Sequence, residues 1–177
     1  MNNTQKAKYI TSWISAYVEN MAKPAESLII GISGGIDSSL TSTLAASTGL
    51  KTIVVTMPIN SNPAHLKLSL DHGAWLLQKF NNVQHNIIDL SKIFNTFEDA
   101  LSGHHSDLGL ANSKARLRMT TLYQVAASNN GIVVGTGNKV EDFGVGFYTK
   151  YGDGGVDISP IADLMKSDVR ELSKEIG

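Results

Sequence analysis

The residues best suited to chemistry in this sequence form one short stretch, Ser33-Gly34-Gly35-Ile36-Asp37-Ser38-Ser39. The apolar run before it, residues 28–32, is typical of a buried parallel strand, and Leu40 and Leu44 after it lie one helical turn apart. The stretch therefore lies where a strand passes into a helix N-terminus, whose free N–H groups and dipole favour an anion. Glycine lets the backbone approach a ligand closely, and serine hydroxyls add hydrogen-bond donors. This combination predicts a loop that wraps a phosphate.

Asp37 is the acidic member of this loop. A carboxylate repels phosphates unless a cation lies between them, so Asp37 is a candidate Mg²⁺ ligand. The more common phosphate loop carries a lysine followed by Ser or Thr, whereas no lysine occurs between Lys23 and Lys51. A plainer alternative is a tight turn rich in small residues, in which Asp37 caps the helix. The flanking strand and helix favour the phosphate-binding interpretation.

The composition is that of an ordinary globular domain. With 177 residues the chain has enough length for one core but not for two, so residues 1–177 are expected to form a single domain. The formal net charge of −1 provides no electrostatic attraction for nucleic acid or for a membrane. No apolar run reaches membrane-spanning length, and the polar first residues do not resemble a signal peptide. We therefore expect a cytoplasmic enzyme.

Hydrophobic spacing predicts helices and strands that alternate along the chain. Four segments are typical of strands, namely 28–32, 51–57, 83–89 and 131–135. An amphipathic helix over 4–22 precedes the first of them, and helices separate the others. This order predicts an α/β fold with a doubly wound parallel sheet. Thr136 follows the fourth strand, at the sheet edge where ligands bind and where the serine-rich loop also lies.

The second half of the chain contains three less regular segments. Residues 102–111 are predicted to form a loop, after which Asn112 caps the next helix. Residues 139–157 show no helix or strand period and are predicted to be a long glycine-rich loop. The last helix is expected to begin after Ser159-Pro160.

Two arginines lie on the helix that is predicted to begin at Asn112. At about 100° per residue, Arg116 and Arg118 fall on opposite flanks of its apolar stripe. At most one of them is therefore expected to face a site, and the alternative is that both are solvated.

Four motifs, taken together, resemble the ammonia-dependent NAD synthetases of the ATP pyrophosphatase superfamily. They are residues 31–39, Asn112-x-x-x-Arg116-x-Arg118-Met119, Gly135-Thr136-Gly137-Asn138-Lys139-x-Glu141 and residues 149–160. The resemblance runs in order across nearly the whole chain, and the last two motifs are the most restrictive. It implies an adenine-nucleotide α-hydrolase-like fold, a homodimer and a ligase that forms a C–N bond. In that reaction Mg-ATP adenylates the carboxylate of deamido-NAD with release of pyrophosphate, and ammonia then displaces AMP to give NAD.

The resemblance also implies roles for individual residues. Asp37 and Lys166 would be catalytic, and Asp37 and Glu141 would bind Mg²⁺. ATP would be bound by Gly31, Ile32, Ser33, Gly34, Gly35, Ile36, Asp37, Ser38, Thr136 and Lys166. Deamido-NAD would be bound by Arg116, Lys150 and Asp157. Because the spacing from Glu141 to Lys150 is one residue longer than in some relatives, Asp142 is the alternative metal ligand; Glu141 and Asp157 are otherwise solvated loop acids, and Lys166 a surface charge.

Two other interpretations remain open. One is a different ATP pyrophosphatase, either GMP synthetase-like or tRNA-modifying. The chain contains no cysteine for a glutaminase or for sulfur insertion, and no basic excess for tRNA. The other is an inactive nucleotide-binding or dimerisation fragment, because members of the family extend beyond the point that corresponds to Gly177 and a C-terminal part is expected to be missing. Release of pyrophosphate distinguishes an enzyme from a fragment that only binds ATP.

Overall fold

Helices and strands alternate along the chain in the computed structural model, which describes the backbone of residues 1–177 and every side chain except that of Phe143. The strands are β1 (Ser27–Gly31), β2 (Lys51–Thr56), β3 (Val83–Ile87) and β4 (Gly131–Val133). The helices are α1 (Asn3–Glu19), α2 (Ile36–Ala46), α3 (Pro63–Lys79), α4 (Ser91–Ala100), α5 (Asp107–Ser128) and α6 (Lys166–Ile176). A π-helix covers Val140–Val145. Among the described residues, none of the helices combines the length and the apolar character that a membrane span needs.

The strands form one parallel sheet in the order β3-β2-β1-β4. In its centre Ile29 of β1 pairs with Ile53 of β2 on one side and Val133 of β4 on the other. Ile29 packs with α4 and α5 on one face, whereas Ile30 packs with α1, α2 and α6 on the opposite face. The prediction of a doubly wound α/β fold is therefore confirmed.

The central strands are apolar throughout because both faces of the sheet are covered. Ile29, Ile30 and Val54 are completely buried, and each such side chain stabilises the fold by about 2 kcal/mol relative to an exposed one. This core fixes the carboxyl ends of β1 and β4, where the polar loops begin.

The sheet has a crevice between the carboxyl ends of β1 and β4. From β1 the chain crosses to β2 on one side, and β4 lies on the other side, so the loops that follow β1 and β4 diverge. Ligands of open α/β sheets bind at such a point. A parallel bridge between Val134 and Ile158 brings the segment after the glycine-rich region to the same edge.

The start of α5 differs from the sequence prediction. The helix begins at Asp107 and is capped by Ser106, whose Oγ accepts a hydrogen bond from the Gly109 N–H at 3.1 Å. Gly109 resembles a helix breaker in the sequence, yet a Cβ at this position would lie only 2.7 Å from the Ser106 hydroxyl, so glycine suits the cap. Asn112, the predicted cap, lies inside the helix and accepts a hydrogen bond from the Thr149 hydroxyl at 2.9 Å.

Two further boundaries in the C-terminal third were predicted wrongly. The region expected to lack regular structure contains the π-helix Val140–Val145, which Asn138 caps through its side-chain oxygen and which ends at Gly146 with a φ of 69°. The last helix begins at Lys166 instead of directly after Pro160, because its first turn is closed by the bond from the Met165 N–H to Asp168 Oδ2 at 3.2 Å.

Candidate active site

The serine-rich loop presents the N-terminus of α2 to the crevice. Its N-cap residue is Gly35, which offers no side-chain acceptor to the first N–H groups of the helix, so these groups are free to bind an anion. Ser38 stabilises the loop: its hydroxyl donates to the Gly35 carbonyl at 2.9 Å and accepts from the Ser33 N–H at 3.2 Å. Hydrogen bonds of its own serines therefore hold the loop in this conformation.

Gly34 brings this loop into contact with α3. Its φ is +82°, and a Cβ there would lie 2.8 Å from Leu68 Cβ and 2.9 Å from the Ser69 nitrogen. A side chain at this position would push the loop away from α3.

Asp37, Glu141 and Lys166 meet in front of the loop. The Lys166 ammonium group donates a short hydrogen bond to Asp37 Oδ2 and a second one to Glu141 Oε1 at 3.0 Å. The Asn138 amide donates to the other oxygen of Asp37, Oδ1, at 3.1 Å. Three elements, α2, the π-helix and α6, thus bring together residues that are far apart in the sequence.

Additional carboxylates surround this cluster. Burial raises the pKa of Asp142, and the nearby charges of Asp153, Glu141 and Asp37 raise it further. Burial alone would lower the pKa of Lys166, but its bonds to Asp37 and Glu141 outweigh that effect and the pKa is raised. The cluster therefore contains more carboxylate groups than ammonium groups.

This excess of oxygen donors suits a hard divalent cation such as Mg²⁺. Asp37 and Glu141 are the carboxylates that would hold it, and Asp142 lies beside them. Among the described residues no group of three or more His, Cys, Asp or Glu side chains is close enough together to bind a metal. The carboxylate oxygens are thus of the type that a magnesium ion prefers. The Lys166 ammonium group lies between the two proposed ligands and separates them.

A cavity of about 490 Å³ opens beside the loop at the carboxyl edge of the sheet. A volume of this size is typical of small-molecule sites. The predicted ATP-binding residues in its wall are Gly31, Ile32, Ser33 and Thr136. The beginning of α3 contributes Asn62, His65 and Ser69, and α5 contributes Arg118.

The two arginines of α5 face different surroundings. Arg118 lines the cavity, and its Nε donates to the Met57 carbonyl at 3.0 Å. Burial lowers its pKa from the ordinary value. Arg116 is exposed, and its Nε donates to the Lys150 carbonyl at 3.1 Å, on the loop that follows the π-helix. The guanidinium group in the cavity is thus that of Arg118.

Lys150 and Asp157, like Arg116, do not line the cavity. The Lys150 ammonium group lies 5.1 Å from the centre of the Tyr151 ring. Asp157 accepts hydrogen bonds from the Val133 N–H at 2.7 Å and from the Tyr123 hydroxyl at 3.1 Å. Burial, followed by the charge of Asp157, raises the pKa of Tyr123 to about 12. Asp157 thus ties its own segment to β4 and α5.

Comparison with known proteins supplies the family. The model of the NAD synthase family matches residues 6–177. This chain belongs to that family. It is 40% identical over 172 residues to the NH(3)-dependent NAD(+) synthetase of Sulfolobus acidocaldarius. The aligned region covers 96% of this chain and 59% of that protein.

Solved structures of the NAD synthase family share the fold. An NMN synthetase from Francisella tularensis matches with a TM-score of 0.90 and 34% identity, over 99% of this chain and 71% of that one. The NH3-dependent NAD synthetase from Campylobacter jejuni matches with a TM-score of 0.88 and 33% identity, over 99% and 74% of the two chains. The adenine-nucleotide α-hydrolase-like fold is thereby established. The chain spans a smaller part, 59%, of the length of the synthetase from Sulfolobus acidocaldarius.

Three polar residues of this candidate site, Asn138, Arg118 and Asp153, received no definite role from the sequence. Asn138 stands inside a quoted motif, but the sequence gives no sign that its amide contacts Asp37. Arg118 was recognised as one of two alternatives, and its partner is a backbone carbonyl on another element. Asp153, which lines the cavity, stands inside the motif of residues 149–160, but no role was assigned to it.

Proposed function

We propose that residues 1–177 form a single ATP-pyrophosphatase domain of a cytoplasmic, ammonia-dependent NAD synthetase, a ligase that forms a C–N bond. The observation that carries this proposal is the meeting of Asp37, Glu141 and Lys166 in front of an uncapped helix N-terminus. The cavity beside that helix offers room for the nucleoside part of ATP. Membership of the NAD synthase family supports deamido-NAD as the second substrate.

The first step forms a bond between a carboxylate oxygen of deamido-NAD and the α-phosphorus of ATP, and pyrophosphate leaves. The loop serines and the N–H groups at the start of α2 bind the phosphates. Thr136 and the backbone of the serine-rich loop, from Gly31 onward, lie beside the nucleoside. Lys166 supplies positive charge where negative charge accumulates on the phosphoryl oxygens. Mg²⁺, held by Asp37 and Glu141, would neutralise phosphate charge. Positive charge on both sides of the phosphates lowers the barrier to attack by an anionic carboxylate.

The second step breaks the bond between the carbonyl carbon and the bridging oxygen of the acyl adenylate, and the O–P bond made in the first step stays in AMP. The lone pair of ammonia attacks the carbonyl carbon of the acyl adenylate, AMP leaves with the electrons of the C–O bond, and the added nitrogen loses a proton. Adenylation is necessary because a free carboxylate is a poor electrophile. We propose that Arg116, Lys150 and Asp157 bind deamido-NAD. These residues lie outside the cavity, so the proposed homodimer would enclose them by placing a second copy beside them.

The second candidate substrate is the deamidated mononucleotide, because one of the most similar structures is that of an NMN synthetase. Both substrates would present the same pyridine carboxylate to the phosphate loop. The difference between them is the adenylate part that only the dinucleotide carries.

The decisive experiment incubates the protein with ATP, Mg²⁺, ammonium chloride and either deamido-NAD or the deamidated mononucleotide. We expect pyrophosphate, AMP and NAD in equal amounts with the dinucleotide. Preference for the mononucleotide would replace the substrate but keep the reaction. If ATP binds and neither substrate yields pyrophosphate, the proposal is wrong and a nucleotide-binding fragment is the better description.

A further inference from the structure

Asn138 is a completely buried polar side chain between the phosphate loop and the π-helix. Its Nδ2 donates to Asp37 Oδ1 at 3.1 Å. Its Oδ1 accepts from the N–H groups of Val140 at 3.1 Å and Glu141 at 3.2 Å. One side chain therefore contacts one proposed magnesium ligand directly and the backbone of the other.

These contacts fix the orientation of the amide. The two backbone donors require an acceptor, so Oδ1 must face the π-helix and the NH₂ group must face Asp37. The other oxygen of Asp37 is bonded to Lys166, which also contacts Glu141. One oxygen of Asp37 therefore accepts a hydrogen bond from a neutral amide that is fixed in place, and the other accepts one from a flexible ammonium group.

We infer that Asn138 is a positioning residue, which holds the Asp37 carboxylate and the Glu141 backbone in a fixed relation for the binding of a divalent cation with ATP. This inference rests on the proposed function, because that function supplies the cation. Partners that orient a metal-binding carboxylate typically change affinity or activity 10–100-fold when they are removed. A buried amide with both ends bonded also leaves little freedom for the carboxylate to turn.

The test separates the two contacts of Asn138. In Asn138→Ser the hydroxyl still offers an acceptor at a helix start but is too short to reach Asp37. In Asn138→Ala both contacts are lost. Pyrophosphate release is measured against free Mg²⁺ at saturating ATP, and Mn²⁺ binding in the presence of ATP is measured by electron paramagnetic resonance.

We expect both variants to need about tenfold more Mg²⁺ for half-maximal rate and to bind Mn²⁺ about tenfold more weakly. Asn138→Ser should keep a higher melting temperature than Asn138→Ala. A wild-type cation requirement in Asn138→Ser overturns the inference, because the lost bond to Asp37 would then not matter.

Asn82 provides a matched structural control at the other end of the sheet. Its amide also joins two segments, by donating to the carbonyls of Ala46 at 2.9 Å and Leu50 at 2.7 Å. Asn82→Ala should lower the melting temperature without changing the requirement for Mg²⁺. An equal change in both proteins would indicate a general effect of lost stability and would also overturn the inference.

A second measurement does not depend on catalysis. If Asn138 and Asp37 share a hydrogen bond, the loss of melting temperature in Asn138→Ser with Asp37→Ala is smaller than the sum of the single losses. Asn82→Ala with Asp37→Ala should be additive. Absence of pyrophosphate release in the wild type would refute the proposed function, whereas additivity of Asn138 and Asp37 would refute the positioning role.

Discussion

The charges around Lys166 show how a single residue makes the acidic site compatible with folding. Asp37 and Glu141 both contact its ammonium group, and Asp142 lies close enough for their charges to raise its pKa. Carboxylates at such distances repel one another unless a cation stands among them. Lys166, the first residue of α6, provides that cation from the opposite end of the sequence.

Replacement of Asp37 tests the metal role at the residue scale. Asp37→Asn keeps the shape of the side chain but removes the negative charge that a cation requires. We expect pyrophosphate release at saturating Mg²⁺ to fall at least about a hundredfold, with a smaller effect on the melting temperature, which falls because an amide offers one acceptor oxygen where Asp37 offers two. An unchanged rate would contradict the role of Asp37 as a metal ligand.

The control for this change is Asp71→Asn. Asp71 is an exposed acid on α3 that pairs with Lys67 at 2.6 Å. An exposed pair of this kind stabilises a protein by less than about 1 kcal/mol. The rate of Asp71→Asn should therefore equal that of the wild type.

Local sequence predicted some of the site residues and not others. Asp37 could be singled out as a candidate because its loop combines small residues, hydroxyl groups and a strand-to-helix position within seven residues. Glu141 and Lys166 were suggested by family resemblance alone. Spacing left Arg118 open as one of two arginines and gave no role to Asn138, because their partners, the Met57 carbonyl and the Asp37 carboxylate, come from elements that only the folded chain brings near.

At the scale of elements, prediction succeeded where apolar periodicity is strong. Strands β1 and β2 lie within one residue of their expected bounds. The starts of α5 and α6 were wrong because single side-chain caps, Ser106 and Asp168, decide them. The π-helix depends on the buried amide of Asn138, and no periodic pattern announces such a contact.

The packing of the phosphate loop on α3 can be tested with two glycines of the same conformation. Gly34 has a φ of 82° and Gly49 a φ of 80°, but a Cβ would meet α3 at Gly34 and nothing within 4 Å at Gly49. Gly49→Ala should lower the free energy of unfolding by about 1 kcal/mol through backbone strain. Gly34→Ala should lower it by about 1–3 kcal/mol more, because α3 must move. Urea unfolding measures the free energy of unfolding of both variants. Equal losses would show that the loop does not pack tightly against α3.

Two half-buried histidines link neighbouring elements, His72 joining α3 to α2 and His85 joining β3 to β2. His72 Nε2 lies 2.8 Å from the Ser42 hydroxyl on α2, and His85 Nε2 lies 2.9 Å from the Thr56 hydroxyl on β2. Burial lowers the pKa of both, and the charge of His85 lowers that of His72 further. Below the ordinary pKa of 6.5 the unfolded chain therefore binds more protons than the folded one, so stability falls as the pH falls.

Replacement of His72 should weaken this dependence on pH. We expect the melting temperature of the wild type to drop between pH 7 and pH 5, and His72→Gln to show a smaller drop because one of the two half-buried imidazoles is absent. Exposed His104 supplies the control, since His104→Gln should keep the slope of the wild type. Identical slopes in all three proteins would mean that His72 titrates in the same way in the folded and unfolded states.

The architecture of the whole molecule could be inferred from the sequence because it follows from a few general rules. Alternating strands and helices give a parallel sheet, and parallel strands bring their carboxyl-end loops to one edge. These rules placed the loop around Asp37 and Thr136 at a common cavity. They could not place Lys150 and Asp157, which follow the π-helix and lie outside the cavity, because such an irregular segment follows no periodic rule. Arg116 lies on α5, and helical spacing left open which of the two arginines of that helix faces the site. The proposed homodimer stays a prediction.

The source of nitrogen is a property of the whole chain, because it depends on which residues are absent. The sequence contains no cysteine, so these 177 residues cannot release ammonia from glutamine with a thiol nucleophile. Ammonia has a lone pair for attack on the acyl adenylate, whereas ammonium has none. At constant total ammonium chloride the rate of NAD formation should therefore rise with pH, and rates at different pH values should fall on one curve when plotted against free ammonia. The measurement uses deamido-NAD and ATP at constant ionic strength, with pyrophosphate release followed in parallel to detect other effects of pH. An equal rate with glutamine alone, in the absence of any partner protein, would contradict this prediction.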